Sequence, residues 1–180
     1  MLRSLFNSDY FKSESIRYEK VKSPAELVAG VLRLTGELQN PGHVSYERSQ
    51  QMVYMGQYLN NPSSVEGWHE GLEWIDTGTL VERTNFVAQQ LGDLNNKWGK
   101  TLVTKLSTYS DDPVSPEDLI DICLDEIGAV SVSDETRETL IDYASQNGRV
   151  SFKNGLGKES FSNLSNILQL IATTYEYQRS

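Results

Sequence analysis

Apolar residues recur along this chain at intervals of three and four, and strict alternation is nearly absent outside a weak "GRVSF" at 148–152. That spacing puts side chains on one face of an α-helix. In "SPAELVAGVLRLTGEL", Ser23 takes the N-cap, Pro24 the first helical position and Glu26 the third, a capping box with proline where no amide is needed. Leu27, Val28, Val31, Leu32 and Leu34 follow as an apolar stripe, and "NPG" at 40–42 is expected to stop the helix. A second helix is predicted from about Ser45 to Leu59, with Met52, Met55 and Leu59 on one side. Thr79, with Glu82 three residues on, predicts the start of another helix, with Leu80, Val87 and Leu91 inward.

The second half repeats the pattern. Trp98, Leu102, Leu106 and Tyr109 share one face. "SPED" at 115–118 repeats the earlier cap ahead of Leu119, Cys123 and Ile127. Ser133 is expected to cap a helix carrying Leu140, Ile141 and Ala144, and Phe161, Leu164, Leu168, Ile171 and Tyr175 define the last one. The predicted fold is all-α: an irregular multi-helix bundle with a long Gly/Pro/Trp-rich loop clasped onto its core. Residues 1–106 form a helical region, 107–116 a linker, and 117–180 acidic helices packed on the same domain.

Composition narrows the classes of function. The 180 residues suit one domain. The net charge of −9 is concentrated at the back, where residues 111–180 hold thirteen acidic against five basic side chains. A chain with this balance and no basic stripe is a poor candidate for nucleic acid or an anionic membrane. No apolar run approaches the ~20 residues of a membrane span. The opening "MLRSLFNSDYFKSES" lacks the apolar centre of a signal peptide. One cysteine excludes an internal disulfide, and two histidines, His43 and His69, leave few ligands for zinc. No metal and no cofactor are expected.

The densest candidate chemistry lies in "NPSSVEGWHEGLEWIDTGTLVERTNF", 61–86. "HEGLE" superficially matches a zinc-protease motif, but Glu73 stands where the second histidine belongs. Trp68 and Trp74 among acids and amides have the composition of a sugar-stacking site. Two tryptophans in a loop broken by Pro62, Gly67 and Gly71 also suit a clasp pinned to the core, with an Asp76–Arg83 tie where helix resumes. The candidate binding residues are Trp68, His69, Glu70, Glu73, Trp74, Asp76, Arg83 and Asn85, and no catalytic residue is assigned. No P-loop, dinucleotide or Gly-x-Ser-x-Gly fingerprint occurs, and "GLGKES" at 155–160 lacks the upstream strand and first glycine. Asp118, Asp121 and Asp125 share a helix face that is either solvated or a dock for a basic partner. Cys123 reads as a small core residue.

The stretch "MGQYLNNPSSVEGWHEGLEWIDTGTLVERTNF" resembles the C-terminal signature of a bacterial family, domain of unknown function 1800. The resemblance rests on Met55, Gly56, Gln57, Pro62, Val65, Gly67, Trp68, Gly71, Trp74, Ile75, Thr79, Leu80, Arg83, Asn85 and Phe86. It extends to "LFNSDYFKSESIRYEKVKSPAELVAGVLRLTG" upstream and to the closing "LQLIATTYEYQRS", where Thr-Thr replaces the family's Ser-Pro. Family members are usually much longer, so the resemblance implies a C-terminal portion separated from a helical N-terminal part. It also implies export to the periplasm or cell surface, and a sulfatase-like partner encoded nearby. It carries no established activity. The expectation is a non-catalytic scaffold or partner-binding module. The alternative is a fragment of a carbohydrate or ester hydrolase, with a site around 66–83 completed by the missing part.

Overall fold

Helix-starting chemistry sets most of the element boundaries. The computed structural model describes residues 1–16, 19–39, 44–108, 112–128, 130–147, 150–152 and 156–179. Its helices are α1 (Leu2–Phe6), α2 (Pro24–Thr35), α3 (Val44–Tyr54), α4 (Thr77–Gly92), α5 (Lys97–Ser107), α6 (Pro116–Gly128), α7 (Asp134–Gln146) and α8 (Lys158–Thr173). Short 3-10 turns occupy Glu14–Ile16, Glu37–Gln39 and Gly71–Trp74. The described residues hold no strand, only isolated bridges between Val21 and Arg179 and between Ser64 and Gly67. The fold is all-α.

The caps are those the side chains dictate. Glu26 N–H donates to Ser23 Oγ (3.3 Å) while Ser23 N–H donates to Glu26 Oε2 (2.8 Å), closing the capping box of α2. Asp118 N–H donates to Ser115 Oγ at 3.1 Å, and Thr136 N–H to Ser133 Oγ at 3.2 Å. Asn96 caps α5 by accepting from Gly99 N–H at 2.7 Å. Gly99 has no room for a side chain, since a Cβ there would lie 2.4 Å from Leu94 Cα.

Two helices end earlier than the sequence reading expects. Helix α2 stops at Thr35, because Gly36 turns left-handed (φ 81°); the "NPG" at 40–42 lies outside the described residues. Helix α3 stops at Tyr54, not Leu59. Gly56 is left-handed (φ 93°), its N–H donates to Val53 O (2.9 Å), and Gln57 N–H donates to Met52 O (2.8 Å). This pair of bonds is a Schellman terminus, which is what Met-Gly-Gln encodes.

The core follows the predicted stripes. Helices α4 and α8 make the most extensive helix–helix contact, with α2 packed on α4 and α7 on both α6 and α8. The close approach of α4 and α8 is permitted by Gly92, whose carbonyl accepts from Ser165 Oγ at 2.8 Å. One contiguous cluster draws in Leu27 and Val31 of α2, Phe86, Val87 and Leu91 of α4, Leu102 and Leu106 of α5, Leu119 and Cys123 of α6, and Leu164, Leu168 and Ile171 of α8. Full burial of a side chain of this size contributes about 1.5–3 kcal/mol. Leu59, Leu80 and Tyr175, read as inward, are exposed; Tyr175 lies beyond the end of α8. Tyr109 lies outside the described residues.

Around the predicted linker, Val114 is buried and its N–H donates to Val150 O (3.1 Å), and Phe152 N–H donates to Asp112 Oδ1 (3.0 Å). The acidic face of α6 is engaged by its neighbours: Arg137 clamps Asp121 through Nε and Nη2 of its guanidinium, and Lys105 reaches Asp125 (3.6 Å) and Glu126. Such exposed pairs are screened by water and add little to stability.

Cys123 is fully enclosed. Burial, with Glu126 acting in the same direction, pushes its thiol up to about 12. A disulfide reagent at mildly alkaline pH should therefore label native protein on the order of a hundredfold more slowly than unfolded chain. Equal rates would place Cys123 on the wrong face of α6.

Candidate functional site

The loop between α3 and α4 begins where Gly56 turns the chain and Gln57 plugs back into it. The Gln57 side chain is buried, and its Oε1 accepts from Ala25 N–H at 2.8 Å. That amide is one of the orphan donors at the start of α2, so the loop's first anchor is a cap on another helix. Trp68 Nε1–H then donates to Tyr58 O at 3.0 Å, and the Ser64–Gly67 bridge tightens the turn between them. Gly67 (φ 117°) and Gly71 (φ 57°) take conformations that side chains resist.

The two tryptophans part company here. Trp74, on the 3-10 turn, is 5% exposed, while Trp68 is 39% exposed. Trp74 lies edge-on to the His69 ring, with centroids 6.1 Å apart, and its carbonyl accepts from Thr79 Oγ1 at 2.9 Å. His69 Nδ1 lies 3.4 Å from Glu73 Oε2, between side chains that remain largely in water. Beside this arrangement opens a cleft of about 630 Å³, lined by Lys20, Glu26, Glu66, Trp68, Glu70 and Trp74 among others. His69 also lines it, and Glu73 reaches it through His69 and through the Glu70 N–H, which donates to Glu73 Oε2 at 3.5 Å.

Two sequence expectations are corrected at the start of α4. The cap is Asp76, not Thr79, and the helix begins at Thr77. Thr79 instead sits three residues inside, with its N–H donating to Asp76 Oδ1 (2.8 Å) and its Oγ1 accepting from Asp76 N–H (3.0 Å). The bond from the Thr79 backbone holds the Asp76 carboxyl below the usual range, and one from Gly78 helps. With that carboxylate spent on the cap, the Asp76–Arg83 tie does not form.

Among the described residues Arg83 is instead the largest wholly buried side chain. Its Nε–H donates to Gln178 Oε1 (3.0 Å) and its Nη2–H to the Lys22 carbonyl (2.7 Å). Among the described residues no carboxylate pairs with it, and Nη1 has no hydrogen-bond partner. Burial lowers its pKa to about 10, which still leaves the guanidinium charged at neutral pH. The partners of Arg83 join the segment ahead of α2 to the segment after α8. Lys22 N–H donates to Gln178 O (3.1 Å), Lys22 Nζ donates to Tyr177 O (2.6 Å), and Gln178 Nε2 donates to Ala172 O (2.9 Å). Burial, then the charge of Arg83, lowers the pKa of the Lys22 ammonium. Arg83 is thus a strut under residues 174–179, away from the cleft lining.

The structure therefore brings together Trp68, His69, Glu70, Glu73 and Trp74, and separates Asp76, Arg83 and an exposed Asn85 from them. Sequence reading misses Lys20, Glu26 and Gln57 in the same cleft, because the chain fold, not proximity along it, delivers them. The sequence signal for Gln57 is the Met-Gly-Gln helix terminus, and that for Glu26 is its place in the capping box. No group of three or more His, Cys, Asp or Glu among the described residues is placed to hold a metal, and none of their helices is long and apolar enough to cross a membrane. His43 lies outside the described residues.

Residues 1–179 match a family model described as "Protein of unknown function (DUF1800)". No curated protein and no solved structure matches the chain.

Proposed function

We propose that this chain, which belongs to the DUF1800 family of proteins of unknown function, is a non-catalytic helical module that binds a partner at the cleft beside Trp68. What supports this most is that Asp76 and Arg83, which a hydrolase site over 66–83 would use beside Glu70 and Glu73, are committed elsewhere. Glycoside hydrolysis uses two carboxyl groups about 5–10 Å apart across one bond, one of them held protonated. Here Asp76 is consumed by a helix cap, Arg83 supports the C-terminal segment, and Glu73 leans on an exposed His69. What remains is an open cleft with an aromatic wall and exposed acids, which is binding chemistry. On the same reading the chain is the C-terminal portion of an exported protein with a sulfatase-like partner.

The test is turnover of chromogenic esters and glycosides. The chain should hydrolyse none above the blank rate, and Glu70→Gln and Glu73→Gln should change nothing. Turnover that either substitution abolishes would establish the hydrolase reading instead.

A further inference from the structure

The cleft beside Trp68 already holds a cation of its own. Lys20 lies at its edge with its ammonium on Glu26, and the pair is loosely held, with side chains 63% and 45% exposed. Against that one ammonium stand three carboxylates, Glu26, Glu66 and Glu70. The indole of Trp68 forms part of the same lining, and its polar edge is tied to the Tyr58 carbonyl. What the ring offers a ligand is therefore its π-surface and not its N–H. An aromatic surface among carboxylates attracts an organic cation twice over, through the ring quadrupole and through charge. At about 630 Å³ the cleft is large enough for a long basic side chain and part of its backbone.

We infer that this cleft receives a lysine or arginine side chain of a partner polypeptide, against Trp68 and between Glu66 and Glu70, with Lys20 as the resident cation it displaces from Glu26. The inference rests on the binding-module reading and specifies its ligand. A neutral sugar would use the same indole but would gain nothing from the removal of Lys20. The two ligand classes therefore separate by whether Lys20→Gln tightens binding.

The experiment follows the Trp68 indole N–H resonance of the full chain during titration with a short capped peptide alternating glycine and lysine, its arginine and glutamate counterparts, and cellobiose. The basic peptides should shift that resonance, with an affinity that falls as salt rises. The Glu66→Gln/Glu70→Gln variant should bind about fivefold to tenfold more weakly, the loss of two exposed pairs. Lys20→Gln should bind about threefold more tightly, because the competing ammonium is gone. Because a chain of net charge −9 attracts any basic peptide, Glu138→Gln/Asp142→Asn on exposed α7 positions and Lys100→Gln on α5 serve as charge-matched controls. Equal effects from the controls would overturn the site. So would basic peptides that leave the Trp68 signal unmoved, or Lys20→Gln weakening them. A shift by cellobiose alone would overturn the cation assignment while leaving a binding module. Turnover of the chromogenic substrates would remove the module reading itself.

Discussion

Replacing Trp74 with alanine should lower the free energy of unfolding by about 3–5 kcal/mol, the range for emptying a buried tryptophan site. Trp74 is 5% exposed and stands apart from the main cluster of core side chains, so no neighbouring layer of helices can close over the hole. Its loss also frees the 3-10 turn Gly71–Trp74 from the start of α4, since the Thr79 hydroxyl bonds the Trp74 carbonyl only while the turn is seated. Trp68→Ala should cost much less, about 1–2 kcal/mol. It forfeits one exposed hydrogen bond to Tyr58 and the burial of part of one ring. Urea denaturation of the two variants gives the comparison directly. Equal midpoints would mean that the loop is held by Gln57 and the Asp76 cap, not by Trp74.

The second large effect is at Arg83. Truncation to alanine should cost about 3–5 kcal/mol, because it opens a cavity and strips the buried Gln178 Oε1 and Lys22 carbonyl of their donor. Opposing this is relief of a desolvated cation that no carboxylate among the described residues contacts. Arg83→Met tests the balance, since it keeps most of the volume and removes the charge. It should recover about half of the loss, the remainder being the two unsatisfied acceptors. Hydrogen exchange supplies a local readout. The Lys22 amide, bonded to Gln178 O, should lose protection in both variants ahead of amides in α4 and α8. Unchanged protection at Lys22 would show that Arg83 is packing and not a strut.

What can be read in advance follows the range of the interaction. The capping box at Ser23, the stripe Leu27–Val28–Val31–Leu32, the enclosed Cys123 and the inward register of α8 through Leu164, Leu168 and Ile171 depend on neighbours within a turn or two. Periodicity and cap chemistry encode them locally. Leu59 and Leu80 mislead because helical spacing cannot tell a core face from a surface one beside an irregular loop. Asp76 is hidden as a cap because Thr79 is equally apt by residue type, and only the backbone bonds distinguish them. The site is half legible. Trp68, His69, Glu70 and Trp74 are close in sequence and stay together, whereas Lys20 and Glu26 arrive from another segment. For Arg83 nothing local suffices, since its partners lie 61 and 95 positions away.

The seating of Arg83 also has a consequence for how the molecule is made. The guanidinium waits on Gln178, which a ribosome working at about 5–20 residues per second adds roughly 5–20 seconds later. Until then Arg83 has the Lys22 carbonyl but not Gln178, and the segment ahead of α2 lacks the partner that Lys22 will find. The site around Arg83 is therefore completed only at the end of synthesis. A chain ending at Thr173 should be cut faster in limited proteolysis than the 180-residue chain, because residues 174–179 supply the partners that Arg83 and Lys22 need.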